Sequence, residues 1–214
     1  MESLKSSAYT AIKSRIADCT YPPGSMVNEE IFRLSLKISR TPIRDALSRL
    51  EQEGLIVIKP KKGILISPLT LEDISQIFEI RMVFEPYALE NYGNRLEESL
   101  LLSQYKLYSA EPGSASQSFL YDDELHASIV QATQNRYIVE SYNTISLQNQ
   151  RMRMLTGVKH ERLVSTYDEH KQILAACLKK NWKEAAEAMR NHLWKSKDSA
   201  LSIVLETNPQ FIGS

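Results

Sequence analysis

Cysteine is scarce. Cys19 and Cys177 are the only two in 214 residues, and they form no CxxC pair. That leaves no disulfide framework. Both fall in apolar helical stretches, where buried free thiols are expected, in keeping with a reducing cytoplasm. Long hydrophobic runs are also missing. No segment approaches the length needed to cross a bilayer, and the N-terminal MESLKSSAYTAIKSRI has no uninterrupted apolar stretch of the signal-peptide kind. A soluble, cytoplasmic protein with no membrane partner is expected. Internal repeats and low-complexity tracts are absent. Net charge is zero, with 26 basic and 26 acidic residues. It is unevenly spread: the first 66 residues hold 11 basic and 7 acidic side chains, the remainder 15 and 19. A basic front and an acidic back suit a nucleic-acid module joined to a second module. With 43% hydrophobic residues, the chain can build a core.

The front half carries the local signals. From about Ala8 to Cys19, Ile12 and Ile16 recur at helical spacing. Tyr21-Pro22-Pro23-Gly24 breaks that helix. Asn28 is a good cap for a second, short helix with Glu29 and Glu30 in its first turn and Ile31, Leu34 and Leu36 facing inward. A third helix opens at the cap residue Ser39, tolerates Pro42 in its first turn, and buries Ile43, Ala46, Leu47 and Leu50. Arg40, Arg44 and Arg49 lie off that stripe, and Gly54 stops the helix. Two β-branched runs, Ile56–Lys59 and Ile64–Ser67, flank Pro60-Lys61-Lys62-Gly63 and predict a hairpin with a basic tip. Three helices and a basic hairpin are the layout of a winged helix-turn-helix.

After residue 67 no comparable strand signal occurs. A long amphipathic helix is predicted from Thr70 or Leu71, kinked or divided at Pro86, with later helices near 95–109, 116–134, 136–156, 161–180 and 182–205. The segment Glu111–Ser116 reads as a loop, and the tail from Asn208 is expected to fray. The fold class is therefore mainly α. Residues 1–68 form a DNA-binding winged helix and 69–214 an all-helical domain.

A helix-turn-helix lays its second helix in the major groove and reads base edges with residues near that helix's N-terminus. Arg40 and Arg44 stand one turn apart there, and an arginine fork matches guanine O6 and N7. Thr41 and the helix N-terminus suit phosphate. Lys61 and Lys62 at the hairpin tip suit a neighbouring groove or backbone. Together the stretch PPGSMVNEEIFRLSLKISRTPIRDALSRLEQEGLIVIKPKKGILI resembles the N-terminal domain of GntR-type regulators, most specifically in SRTPIRDAL, LEQEGL and the wing KKG. The resemblance implies that Arg40, Thr41 and Arg44 read operator DNA, with Ser39, Arg49, Lys62 and Gly63 assisting. Lys37 departs from the family, which usually has Gly at that turn, a place that often wants positive φ.

Histidine is also scarce, with His126, His160, His170 and His192 the four in the chain. Asp122 and His126 are four apart and share a helix face. His170 and His192 fall in the last two predicted helices. Imidazoles and a carboxylate from three helices can converge in a bundle and would suit zinc, nickel, manganese or iron. Spacing alone leaves ordinary core histidines as the alternative. Residues ~70–205 resemble the FCD ligand-binding domain of the FadR branch of GntR regulators, through IFEIRMVFEPYALE, the Asp122–His126 motif with ATQN after it, and DEHKQILAACLKKNWKEAAEAMRNHL. The resemblance implies a divalent metal, zinc first, held by Asp122, His126, His170 and His192. Asp123 neighbours Asp122 but lies three from His126, and His160 reads as surface or loop. It implies also an organic-acid effector whose carboxylate meets the metal. Arg81 matches a family arginine near the effector cavity, and Arg151 and Arg153 are further candidates, with salt bridges inside the bundle as the alternative for these arginines. Met152, Met154 and Tyr142 are expected in the core.

The expectation is a homodimeric repressor on a palindromic operator, whose two DNA heads reorient when the acid binds. A metal-dependent hydrolase tethered to DNA is one alternative, though no glutamate is spaced as a general base beside the metal residues, as HExxH would provide. A regulator with a purely structural metal is the other.

Overall fold

A computed structural model describes residues 4–156 and 160–207. The chain divides into two compact units between Leu69 and Thr70.

The first unit runs α1 (Leu4–Ala17), β1 (Met26–Val27), α2 (Glu29–Leu36), α3 (Arg40–Gln52), β2 (Ile56–Lys59) and β3 (Gly63–Ile66). The sheet order is β1-β3-β2, all antiparallel, with β2 and β3 forming the predicted hairpin. The two-residue β1, pairing Met26 with Leu65 and Val27 with Ile64, is an addition to the expected layout. Ile12, Ile16, Phe32, Ile43, Leu47, Leu50, Leu55 and Ile66 fill the core between α1, α3 and the sheet. Each of these large side chains contributes roughly 1.5–3 kcal/mol by leaving water.

Caps set the angles between these helices. The Asn28 side chain accepts from the Glu30 backbone N–H and starts α2. Lys37 ends α2 in the left-handed region, φ 55°, so the turn keeps the geometry for which glycine is the usual choice. Ser39 occupies the N-cap position of α3 without making a side-chain cap bond. Gly54, φ 72°, follows the end of α3. Two inward assignments on α2 are corrected. Ile31 and Leu34 are exposed, Leu36 is half-buried, and Phe32 is the residue that α2 buries. Cys19 is a free thiol as expected, but it lies beyond α1 at positive φ and is half-buried.

The second unit contains α4 (Leu71–Tyr92), a 3-10 turn (Gly93–Arg95), α5 (Glu98–Tyr108), α6 (Ala115–Gln131), α7 (Arg136–Thr156), α8 (His160–Leu178) and α9 (Trp182–Thr207). A reciprocal cap starts α4: Asp73 N–H donates to Thr70 Oγ1, and Thr70 N–H to the Asp73 carboxylate. Pro86 lies inside α4 without dividing it. One bond of the ladder is forfeited, and burial of Phe78, Pro86, Ala88 and Leu89 around it holds the helix continuous. α9 packs on α4 and α8, α5 on α8, and α6 on α4 and α7. Met154 is exposed, contrary to its expected core place, whereas Met152, Tyr142 and Cys177 are buried. The tail from Asn208 lies outside the described residues. Among them, no helix is long and apolar enough to cross a membrane.

Candidate nucleic-acid face and metal centre

On the first unit, Arg40 and Thr41 open α3 in exposed positions, and Arg44 follows one turn later, also exposed. Arg44 Nε donates to the Glu29 carboxylate at 3.2 Å. Lys61 and Lys62 stand exposed in the turn between β2 and β3, and with Arg44, Glu29 and Gly63 they line the concavity between α3 and the wing. Arg49 is at the far end of α3, exposed and stacked 3.8 Å over the Tyr9 ring. Gly63 has a local structural reason for its identity. At φ 117°, a Cβ there would lie 2.9 Å from the Val27 carbonyl oxygen of β1.

In the second unit, Asp122 and His126 on α6, His170 on α8 and His192 on α9 bring one ligand atom each to within 4.8 Å of one another. His126 Nε2 is 3.2 Å from His170 Nε2, which is 3.3 Å from His192 Nε2. Asp122 Oδ1 lies 3.5 Å from His170 Nε2 and 3.7 Å from His126 Nε2. Metal–ligand bonds of about 2.0–2.2 Å place adjacent donors roughly 3.0–3.5 Å apart, so these spacings fit a shared ion. The three imidazoles are buried, at most 2% exposed. His160 is exposed at the start of α8 and takes no part.

Hydrogen bonds fix the ring orientations. His126 Nδ1 donates to Glu85 at 2.6 Å, and His192 Nδ1 donates to Glu169 at 2.8 Å. Both carboxylates are ionised. Burial pushes the Glu85 carboxyl up, but Arg81 and His126 overcome it and bring it down to about 2. For Glu169 burial again opposes, and the hydrogen bonds from His192 and Arg162 bring it to about 2. An ionised carboxylate only accepts, so His126 and His192 each carry a proton on Nδ1 and turn Nε2 into the cluster, while His170 Nδ1 has no partner among the described residues. Buried donor atoms crowded in this way suit a positive charge between them, a metal ion or a proton. The surroundings of His126 show the same demand: burial lowers its pKa, yet Glu85 and Asp122 raise it to about 9. His170 goes the other way, pushed well below its usual value by burial and by His192.

Glu85 and Glu169 were not singled out in the sequence, which offered no glutamate spaced as a general base beside these residues. Each is engaged at Nδ1, the side of the ring away from the cluster, where it fixes the ring's orientation. Glu85 also accepts from Tyr142 Oη at 2.9 Å and from Arg81 Nε at 2.6 Å. Arg81 is buried and donates further to Asn149. Arg153 pairs with both Asp122 and Asp123. Arg151 is fully buried. A small cavity of about 80 Å³, partly open to solvent, adjoins the cluster. Asp122 and His192 line it with Arg81, Arg153 and Arg162, among serine and threonine hydroxyls.

A basic winged helix in the first unit and a histidine-lined helical bundle in the second make the architecture of a DNA-binding transcription regulator. Family comparison agrees. Residues 4–66 match the bacterial regulatory proteins of the gntR family, and residues 76–194 match the FCD domain. The chain belongs to the GntR family of transcription regulators, in the group that carries an FCD domain. It is 27% identical over 188 residues to the Nta operon transcriptional regulator of Aminobacter aminovorans, covering 86% of this chain and 88% of that one. It is likewise 27% identical over 188 residues to the transcriptional repressor GlaR of Escherichia coli K12, covering 79% and 86%. Among solved structures, Escherichia coli McbR/YncC shares the fold at TM-score 0.79 and 15% identity, over 97% of this chain and all of that one, 100%.

Proposed function

We propose that this chain is a homodimeric repressor that binds a palindromic operator through Arg40, Thr41 and Arg44, assisted by Ser39, Arg49, Lys62 and Gly63. A small organic acid, received at a divalent metal held by Asp122, His126, His170 and His192, controls it. The observation that carries this reading is the convergence of three buried Nε2 atoms and one carboxylate, with two Nδ1 protons already committed to glutamates. Nitrogen and oxygen donors in that ratio favour zinc, with nickel, manganese or iron as other occupants.

A bound divalent ion supplies an electrophilic anchor for a carboxylate. The chain's own residues do the rest. Glu85 and Glu169 hold two rings in register. Arg81, Arg153 and Arg162 line the cavity, each already paired with a carboxylate, and offer an acid guanidinium donors beyond the ion. Control follows if the acid binds the DNA-competent and incompetent states with different affinity. Dimerisation is supported by an exposed apolar stripe on α4, where Ile80, Val83 and Tyr87 are 38%, 61% and 42% exposed and share a face.

Metal analysis of the purified protein tests the site. One equivalent per chain is expected for wild type and none for His170→Ala. Wild-type protein that binds no divalent ion, or a His170→Ala variant that retains a full equivalent, overturns the assignment.

A further inference from the structure

Two acidic residues open α2, Glu29 and Glu30, and two arginines open α3, Arg40 and Arg44. The pairings differ in kind. Arg33 and Glu30 form an ordinary pair along one helix, three residues apart, in which Arg33 offers both Nε and Nη2 to the same carboxylate. Glu29 and Arg44 reach between helices. Arg44 Nε lies 3.2 and 3.3 Å from the two Glu29 oxygens. The Nη1 and Nη2 groups of Arg44 have no partner among the described residues. Arg44 is 70% exposed and Glu29 31%. Solvated pairs of this sort add little to stability, so cohesion of the fold gives small reason for one here.

The geometry gives a better one. A guanidinium presents its donors along two edges. Fixing the Nε edge leaves the Nη1/Nη2 fork facing outward, and such a fork can meet guanine O6 and N7 together. An arginine on a free stem also samples rotamers that serve phosphate equally well, which gives affinity without sequence information. The carboxylate acts on this second count too. It stands beside Arg44 in the same concavity as Lys61 and Lys62 of the wing and repels phosphate there.

We propose that Glu29 is a specificity-determining positioning residue: it holds Arg44 by Nε so that the outer fork is presented to base edges, and its charge keeps Arg44 off the phosphates of unrelated DNA. This rests on the reading that Arg44 contacts bases. It makes an unusual prediction, that removing one acidic side chain strengthens binding to the wrong DNA while weakening discrimination.

The test uses the full-length protein and two duplexes of equal length. One is selected by the wild-type protein from a randomised pool, and the other is its scrambled counterpart. Affinities are measured over a salt series for wild type, Glu29→Ala, Glu29→Gln, Arg44→Ala and the Glu29→Ala/Arg44→Ala double variant. Glu29→Ala is expected to bind the scrambled duplex several-fold tighter. Its slope of log affinity on log salt should steepen by about one as Arg44 becomes free for a phosphate. The selected-to-scrambled ratio should fall roughly tenfold, the order of one good base contact. Glu29→Gln keeps an acceptor for Nε and should lose less of the ratio. In the Arg44→Ala background, Glu29→Ala should change the ratio no further. An unchanged ratio in Glu29→Ala beside a collapsed one in Arg44→Ala overturns the positioning role alone. An equal loss of ratio with Arg44 already removed also overturns it. An unchanged ratio in Arg44→Ala removes the base-reading role itself and the proposal with it.

Discussion

At the scale of single residues, the two buried glutamates carry as much of the chemistry as the four ligand candidates. Glu85 receives three donors, from Arg81, His126 and Tyr142, in a place with no solvent exposure. Replacing it by glutamine removes the charge that keeps the proton on His126 Nδ1. Glu169→Gln does the same at His192, nearer the surface. Each substitution is expected to weaken metal affinity by about 10–100-fold, the usual effect of losing such a partner. Competition against a chromogenic chelator measures this, and unchanged affinity in both variants would mean that the Nδ1 bonds do not tune the site. Neither glutamate was legible in the sequence. Glu85 lies 41 residues from His126 and Glu169 lies 23 from His192, so helix packing and not spacing brings them together. The one available hint was Glu85 four residues after Arg81, on the same face of one helix. The expected ligand set came from the resemblance to the FCD domain, because the one-turn spacing of Asp122 and His126 and the scarcity of histidine still left ordinary core histidines as the alternative.

At the scale of elements, caps and stops were readable and short segments were not. Asn28, Gly54 and the hairpin tip each announce a local geometry through their own chemistry. α2 has eight residues, too few turns to phase an apolar stripe, and so Ile31 and Leu34 were assigned to the wrong face. β1 has two residues, and no alternation can be read from a pair. Its presence explains Gly63, which the sequence offered only as a DNA contact. Gly63→Ala is expected to destabilise the sheet by about 1–3 kcal/mol, because the backbone there is left to glycine and a Cβ meets the Val27 carbonyl. Hydrogen exchange should show faster exchange in β1 and β3, with α4 to α9 unchanged. Full protection in β1 and β3 would show that the strand accommodates a side chain. Pro86 gives the opposite lesson: a breaker in the sequence was outweighed by burial along a helix of 22 residues.

At the scale of the whole molecule, the charge asymmetry in the sequence pointed to two modules, and the chain does form two compact units with their own cores. The GntR and FCD matches fall on either side of that division. The second unit keeps an unusual amount of charge inside: Arg81, Glu85, Arg151 and three imidazoles are each at most 3% exposed. Removing such groups from water is costly unless they are paired and hydrogen-bonded. Here much of that charge is gathered around the candidate metal site, where the proposed ion would complete the pairing. Binding at that point stabilises the folded state in proportion to the logarithm of occupancy. An acid that lands on the ion and on the cavity arginines adds a second increment, and only in the loaded protein. Thermal melting of zinc-loaded and chelator-stripped protein against a panel of three- to six-carbon hydroxy acids and dicarboxylates reads both at once. The account predicts a higher melting temperature with zinc, a further rise with at least one acid, and no acid-dependent rise in stripped protein or in His170→Ala. An acid that stabilises the stripped protein as strongly as the loaded one, or a panel that leaves loaded protein unmoved, would contradict it.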